Sequence, residues 1–112
     1  MQTIDATSLN DLLDREDDWL LVDVVPEPEF AHEHIPGSEN VPADDPDFVE
    51  RIDALAASRR TPVIVYDSEP NGASARVGQR LEKEGFVQVI DFADGLDGWK
   101  RAGLAVTGES ED

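Results

Sequence analysis

Residues 62–81 read PVIVYDSEPNGASARVGQRL, and this stretch decides the fold. The β-branched run Val63-Ile64-Val65 predicts a short strand, because such side chains pack well on a pleated surface. Tyr66 closes it, and residues 67–72 are polar or turn-forming. Ala73, Val77 and Leu81 then recur at helical spacing until Gly85 stops the pattern. A strand that passes through a loop into a helix N-terminus is a common way for α/β proteins to build a site for an anion or a nucleophile. The first residue beyond this strand is Asp67, so the function turns on what an aspartate does there.

The same alternation extends in both directions. Gln2-Thr3-Ile4 can form a first strand, and Thr7 or Ser8 can cap a helix that carries Leu9, Leu12 and Leu13 on one face. The acidic cluster 14–18 ends that helix. WLLVDVV (19–25) is a near-continuous apolar run, as expected of a strand buried on both faces, and Pro26 and Pro28 stop it. EPEFAHEH (27–34) has room for a short helix, IPGS (35–38) is a turn, and ENVP (39–42) is a very short strand. Asp45 and Pro46 read as the cap and first turn of a helix that carries Phe48, Ile52 and Leu55 to about Ser58. FVQVI (86–90) predicts the last strand and GLDGWKRAGL (95–104) the last helix.

Strands alternating with helices imply right-handed crossovers, hence an α/β fold with an open, mainly parallel sheet covered by helices on both faces. In such sheets ligands bind beyond the carboxyl ends of the strands. Asp67 lies at one such end, Asp23 to Pro26 at another, and Asp91 to Gly95 at a third. Residues 1–106 are expected to form one domain, and TGESED (107–112) a flexible acidic tail.

Charge is the extreme feature: 26 Asp and Glu stand against 9 Lys and Arg, a formal −17. The acids are spread along the chain, so a tail is not their source and a patch for a basic partner fits poorly. The same sign disfavours nucleic acid. A carboxylate-rich surface fits life in molar salt best, where the Debye length falls to ~3 Å and self-repulsion is screened. The expectation is the cytoplasm of an extreme halophile. No apolar run approaches the ~20 residues of a membrane span, and no basic-then-apolar signal opens the chain, so no membrane is expected. There is no cysteine, which excludes disulfides, thiolate metal sites and a cysteine nucleophile.

Three stretches together resemble the rhodanese-like domain. LLVDVVPEPEFAHEHIPGSENVP (20–42) is similar to that family's Asp-Val-Arg turn, its Glu-Phe/Tyr, its His-Ile-Pro-Gly-Ala and its Asn-x-Pro. VIVYDSEPNGASARVGQRLEKEGFVQV (63–89) resembles the strand, active-site loop and helix, and DGLDGWKRAGLAV (94–106) the closing Gly-Gly-x-x-x-Trp-x-x-x-Gly-x-Pro-Val element. The resemblance implies about five parallel strands, agreeing with the α/β reading. It also implies that the residue after the central strand should be a cysteine that carries sulfur as a persulfide. That position is Asp67. The family's turn arginine corresponds to Val25, and the first glycine of the closing pair to Asp94. The active-site-like loop covers Asp67, Ser68, Glu69, Pro70, Asn71, Gly72, Ala73 and Ser74, with Arg76 beyond, and is longer than in compact members.

Sulfur transfer needs a soft, polarizable nucleophile that forms an S–S bond and gives it up again. A carboxylate cannot hold a sulfane sulfur, so the chain is expected to be inactive as a sulfurtransferase. Asp67 can either accept hydrogen bonds from the loop amides, as a built-in anion, or point into water. A phosphoryl-accepting Asp67 with Glu69 holding Mg²⁺ lacks a phosphate-binding lysine. His32 and His34 could hold a metal only in an extended segment; His34, with Pro36 and Gly37, reads as a turn-organising element. Asp23 reads as a turn acceptor, and residues 71–74 could bind a small anion or simply turn. No cofactor or metal is expected. A binding or regulatory module, with the loop and a rim of Asp23, Val25 and Asp94 as its contact surface, is the leading expectation. Its partner would be a protein or a small ligand. Non-cysteine chemistry, use of a partner's thiol, and a purely structural relic are the alternatives.

Overall fold

The computed structural model describes residues 1–15, 18–70 and 72–109; Asn71 of the loop and residues 110–112 of the expected tail lie outside them. The elements alternate as β1 (Gln2–Thr3), α1 (Ala6–Arg15), β2 (Leu20–Asp23), α2 (Glu27–His32), β3 (Glu39–Asn40), α3 (Phe48–Leu55), β4 (Val63–Tyr66), α4 (Ser74–Lys83), β5 (Val89–Phe92) and α5 (Gly95–Arg101). The strands form one five-stranded sheet in the order β1-β5-β4-β2-β3, and every pairing is parallel. The fold is α/β.

Strand parity builds the two faces. Leu20 and Val22, Val63 and Val65, and Val89 point to one side, where Phe48 and Ile52 of α3 and Val77 and Leu81 of α4 complete a core. Leu21, Ile64, Tyr66, Ile90 and Phe92 point to the other, against Leu9 of α1 and Trp99 of α5. The three longer strands are buried along their whole length, as strands sandwiched between helix layers must be.

Four boundaries differ from the sequence expectation, each for a local reason. β2 is shorter than 19–25, because after Asp23 the chain turns towards α2. Asp5 caps α1, its Oδ1 accepting the Ser8 N–H at 2.8 Å, so the helix starts before Thr7. Asp45 instead organises a turn ahead of α3, accepting the Asp47 N–H at 2.8 Å. The last strand is β5, not 86–90. Gly85 at φ +103 ends α4 in a Schellman turn, with Phe86 N–H on Leu81 O at 3.2 Å and Gly85 N–H on Glu82 O at 3.1 Å. That turn and a Val87 N–H bond to Arg59 O delay the sheet. Residues 107–109 of the expected tail are tied back: Thr107 and His34 exchange backbone hydrogen bonds at 2.8 and 3.0 Å, and Glu109 N–H reaches Ala31 O at 2.8 Å.

Candidate functional site

The loop between β4 and α4 closes on its own first residue. Asp67 Oδ1 accepts the Ser68 N–H at 2.6 Å and the Ser68 hydroxyl at 3.3 Å, while Oδ2 accepts the Ala73 N–H at 2.7 Å. Gly72 permits this: a Cβ there would fall 2.6 Å from Asp67 Cγ. The two backbone carbonyls at the loop's start are used as well. Asp67 O accepts the Leu96 N–H and Ser68 O the Asp97 N–H, both at 2.9 Å, so amides of the first turn of α5 end on the loop. Gly95 makes that approach possible twice over, with φ +68 and Asp67 O only 2.6 Å from where its Cβ would sit. At the other end, Ser74 Oγ donates to Asp91 Oδ1 at 2.6 Å, and both residues are buried.

Sequence reading did not find the Ser74–Asp91 bond. It did not find Tyr66 either. The tyrosine hydroxyl accepts the Ile35 N–H at 3.0 Å and shares a hydrogen with Ser38 Oγ at 3.0 Å, locking the IPGS turn from beneath. Asn40 is the third omission: its Nδ2 donates to Asp23 O at 3.0 Å and Val25 O at 2.9 Å, fixing the turn that leaves β2.

Asp23 sits beside Tyr66 in the sheet register and is 1% exposed. Its Oδ1 accepts the Val25 N–H at 3.3 Å, the turn role expected for it. Burial pushes its carboxyl up to about 7, helped by the charges of Asp67 and Glu29 and opposed by the Val25 N–H and the Tyr66 hydroxyl. The Tyr66 hydroxyl is itself raised, first by burial and then by Asp23.

The remaining expected residues divide. Val25, Pro26, Pro42, Asp67, Ala73 and Arg76 line one open groove of about 480 Å³ at the loop. Arg76 is largely exposed there, 3.8 Å from Asp44. Glu69, Pro70 and Gly72 are exposed on the loop, while Asn71 lies outside the described residues. Asp94 does not join this rim; it lines a separate depression with Asp5, Thr7 and Arg101. His34 stacks on Phe30 at 3.8 Å and its Nδ1 lies 2.7 Å from Phe30 O, whereas His32 faces a cavity between α2 and α5. Pro36 is exposed, and Gly37 takes φ +88 beside the Trp19 ring.

A parallel α/β sheet with a closed loop after its central strand defines the class, and the sequence profile of the rhodanese-like domain matches residues 5–102. The chain belongs to the rhodanese-like domain family. Among solved structures it is similar to a thiosulfate sulfurtransferase from Pseudomonas aeruginosa, at 28% identity and a TM-score of 0.85 over 96% of this chain. The chain spans only 20% of that protein's length. It is similar to a rhodanese-like domain from Anabaena sp. at 25% identity and TM-score 0.82, covering 96% of this chain and 80% of that one. A rhodanese-like domain protein from Staphylococcus aureus shares the fold at 20% identity and TM-score 0.78, covering 98% and 100%. No curated protein matches the chain. Among the described residues no helix is long and apolar enough to cross a membrane.

Proposed function

We propose that this rhodanese-like domain moves no sulfur through residues of its own and serves as a binding or regulatory module in a halophile's cytoplasm. One observation carries the reading: the carboxylate after β4 takes up the Ser68 and Ala73 amides, the kind of donors that would otherwise stabilise a thiolate and its persulfide. An oxygen anion in that seat satisfies the loop and offers no electron pair able to make and break an S–S bond. The groove lined by Val25, Asp67 and Arg76 is the contact surface for a protein or small ligand.

The second reading is an enzyme of altered chemistry, or one that works on a partner's thiol. It is favoured by the open groove beside Asp67, into which a foreign thiol could enter next to Arg76. A thiosulfate:cyanide assay in molar KCl decides between them. The binding reading expects no thiocyanate above the buffer rate, from the chain alone or with added thiols. Turnover that requires the added thiol supports the second reading, and turnover by the cysteine-free chain alone overturns the first. Asp67→Cys should acquire cyanide-labile sulfur if the loop amides still face that position.

A further inference from the structure

A chain of polar groups runs from the end of β2 through β4 into the turn at 35–38. The buried Asp23 carboxyl is hydrogen-bonded to the Tyr66 hydroxyl. That hydroxyl accepts the Ile35 N–H at 3.0 Å and lies 3.0 Å from Ser38 Oγ, which donates to Ile35 O at 2.7 Å. The bonds Asp23–Tyr66, Tyr66–Ser38 and Ser38–Ile35 O need three hydrogens. Tyr66 and Ser38 bring one each. Among these groups the third can come only from a proton on Asp23.

We propose that Asp23, Tyr66 and Ser38 are a proton-operated latch on this turn, closed when the carboxyl is protonated and loosened when it ionises. With the proton in place, Asp23 donates to Tyr66, Tyr66 to Ser38 and Ser38 to Ile35 O, and every contact is filled. An ionised Asp23 takes the Tyr66 hydrogen for itself, because a carboxylate is a stronger acceptor than a neutral hydroxyl. Ser38 then has one hydrogen for two acceptors, and one of the turn's contacts is left empty. The Val25 N–H on Asp23 Oδ1 changes in the opposite sense, strengthening as the carboxyl ionises. Val25 lines the loop groove, so the latch trades its hold on the turn against its hold on the groove's rim. The inference does not depend on what the groove binds.

The change falls in the neutral range. Burial, and then the charges of Asp67 and Glu29, push the Asp23 carboxyl up to about 7 against the Val25 N–H and the Tyr66 hydroxyl. The elements packed round it present Tyr66 from β4, Asp67 from the loop, Glu29, His32 and Glu33 from α2, and Asp97 and Lys100 from α5. β3 brings the neutral Asn40 alongside. Histidine side chains change charge in the same range. His32 and His34, which adjoins Ile35, are therefore separated from Asp23 by substitution.

The experiment follows the Asp23 carboxyl carbon and the Val25, Ile35 and Ser38 amides by NMR from pH 5 to 9 in molar KCl. The expected result is one transition, centred near 7, shared by the carboxyl carbon and all three amides and retained in His32→Gln and His34→Gln. Across it, protection of the Ile35 and Ser38 amides from hydrogen exchange should fall about fivefold relative to Ile64 in β4, the loss of one hydrogen bond. Asp23→Asn, whose NH₂ donates to Tyr66 in place of the proton, should hold the latch closed at every pH. Tyr66→Phe should leave the carboxyl titrating while Ile35 and Ser38 no longer follow it. If either variant does not fold, the wild-type and histidine-variant series still decide. Ile35 and Ser38 amides that stay flat, a transition abolished by a histidine substitution, or one that survives at those amides in Asp23→Asn or Tyr66→Phe would overturn the proposal.

Discussion

Asp67 combines a charge with two short hydrogen bonds to backbone amides, and both carboxylate oxygens are used. An asparagine has only one acceptor oxygen; its NH₂ would face either the Ser68 or the Ala73 N–H, donor against donor. Asp67→Asn should therefore destabilise the fold by about 1–2 kcal/mol. Thermal unfolding in molar salt measures the loss, and the Ser68 and Ala73 amide resonances should move most. Unchanged stability and unchanged amide shifts would show that the carboxylate does not hold the loop. Asp23 behaves in the opposite sense. Its folded-state value, about 7, lies above its ordinary 3.8, so the native chain binds this proton more tightly than the unfolded chain does. Stability contributed by that proton is complete below pH 4 and is lost as pH rises towards 7. Asp5, Asp45 and Asp53 are shifted downward, chiefly by hydrogen bonds from Ser8, Arg51 and Arg59, so they act only below that window. The difference in unfolding free energy between wild type and Asp23→Asn should change by a few kcal/mol between pH 4 and 7. Denaturant titrations across that range check the sign.

At the scale of elements, the loop is anchored by its neighbours as well as by its own first residue. Ser74 at the start of α4 holds the buried Asp91 of β5, and Ser74→Ala would leave that carboxylate without its hydroxyl donor. A loss of about 1–3 kcal/mol is expected, with hydrogen exchange accelerated first at the start of α4. The elements themselves were legible because parity and helical spacing are local: Val63 to Tyr66 alternate between the two cores, and Val77 and Leu81 share a helix face. The choice of cap was not. Asp5, Thr7 and Ser8 can all cap, and the sequence alone does not rank their positions. The contacts that fix the site were hidden for another reason. Tyr66 meets Ile35 across 31 residues, and Ser74 meets Asp91 across 17; neither distance leaves a periodic trace. Asp67 was visible as the decisive residue, but whether it faced loop or solvent depended on Gly72 allowing the amides near. Asp94, expected at the rim from its motif position just before Gly95, lines the depression beside Asp5 and Arg101.

For the whole molecule the governing quantity is the imbalance of 26 acids over 9 bases. Among the described residues Arg51, Arg59, Arg76 and Lys100 each find a carboxylate at the surface, yet even complete pairing would leave the formal −17. Exposed pairs of this kind contribute little individually, so in the halophilic reading proposed above screening by dissolved ions offsets the net repulsion. Dilution from molar KCl to a few tens of millimolar should unfold the chain cooperatively, read by circular dichroism, and returning the salt should restore it. A full native spectrum in dilute buffer would exclude the halophilic reading. The seating of the first α5 amides on Asp67 and Ser68 has a practical corollary at this scale. A displacement of the Asp67–Ser68 backbone would pull on that helix, and with it Trp99, whose ring abuts Phe92 and whose indole N–H donates to Ala105 O at 2.8 Å. Emission of Trp99, read in a Trp19→Phe variant, should thus serve as an intrinsic gauge of loop displacement at a surface the fluorophore never touches.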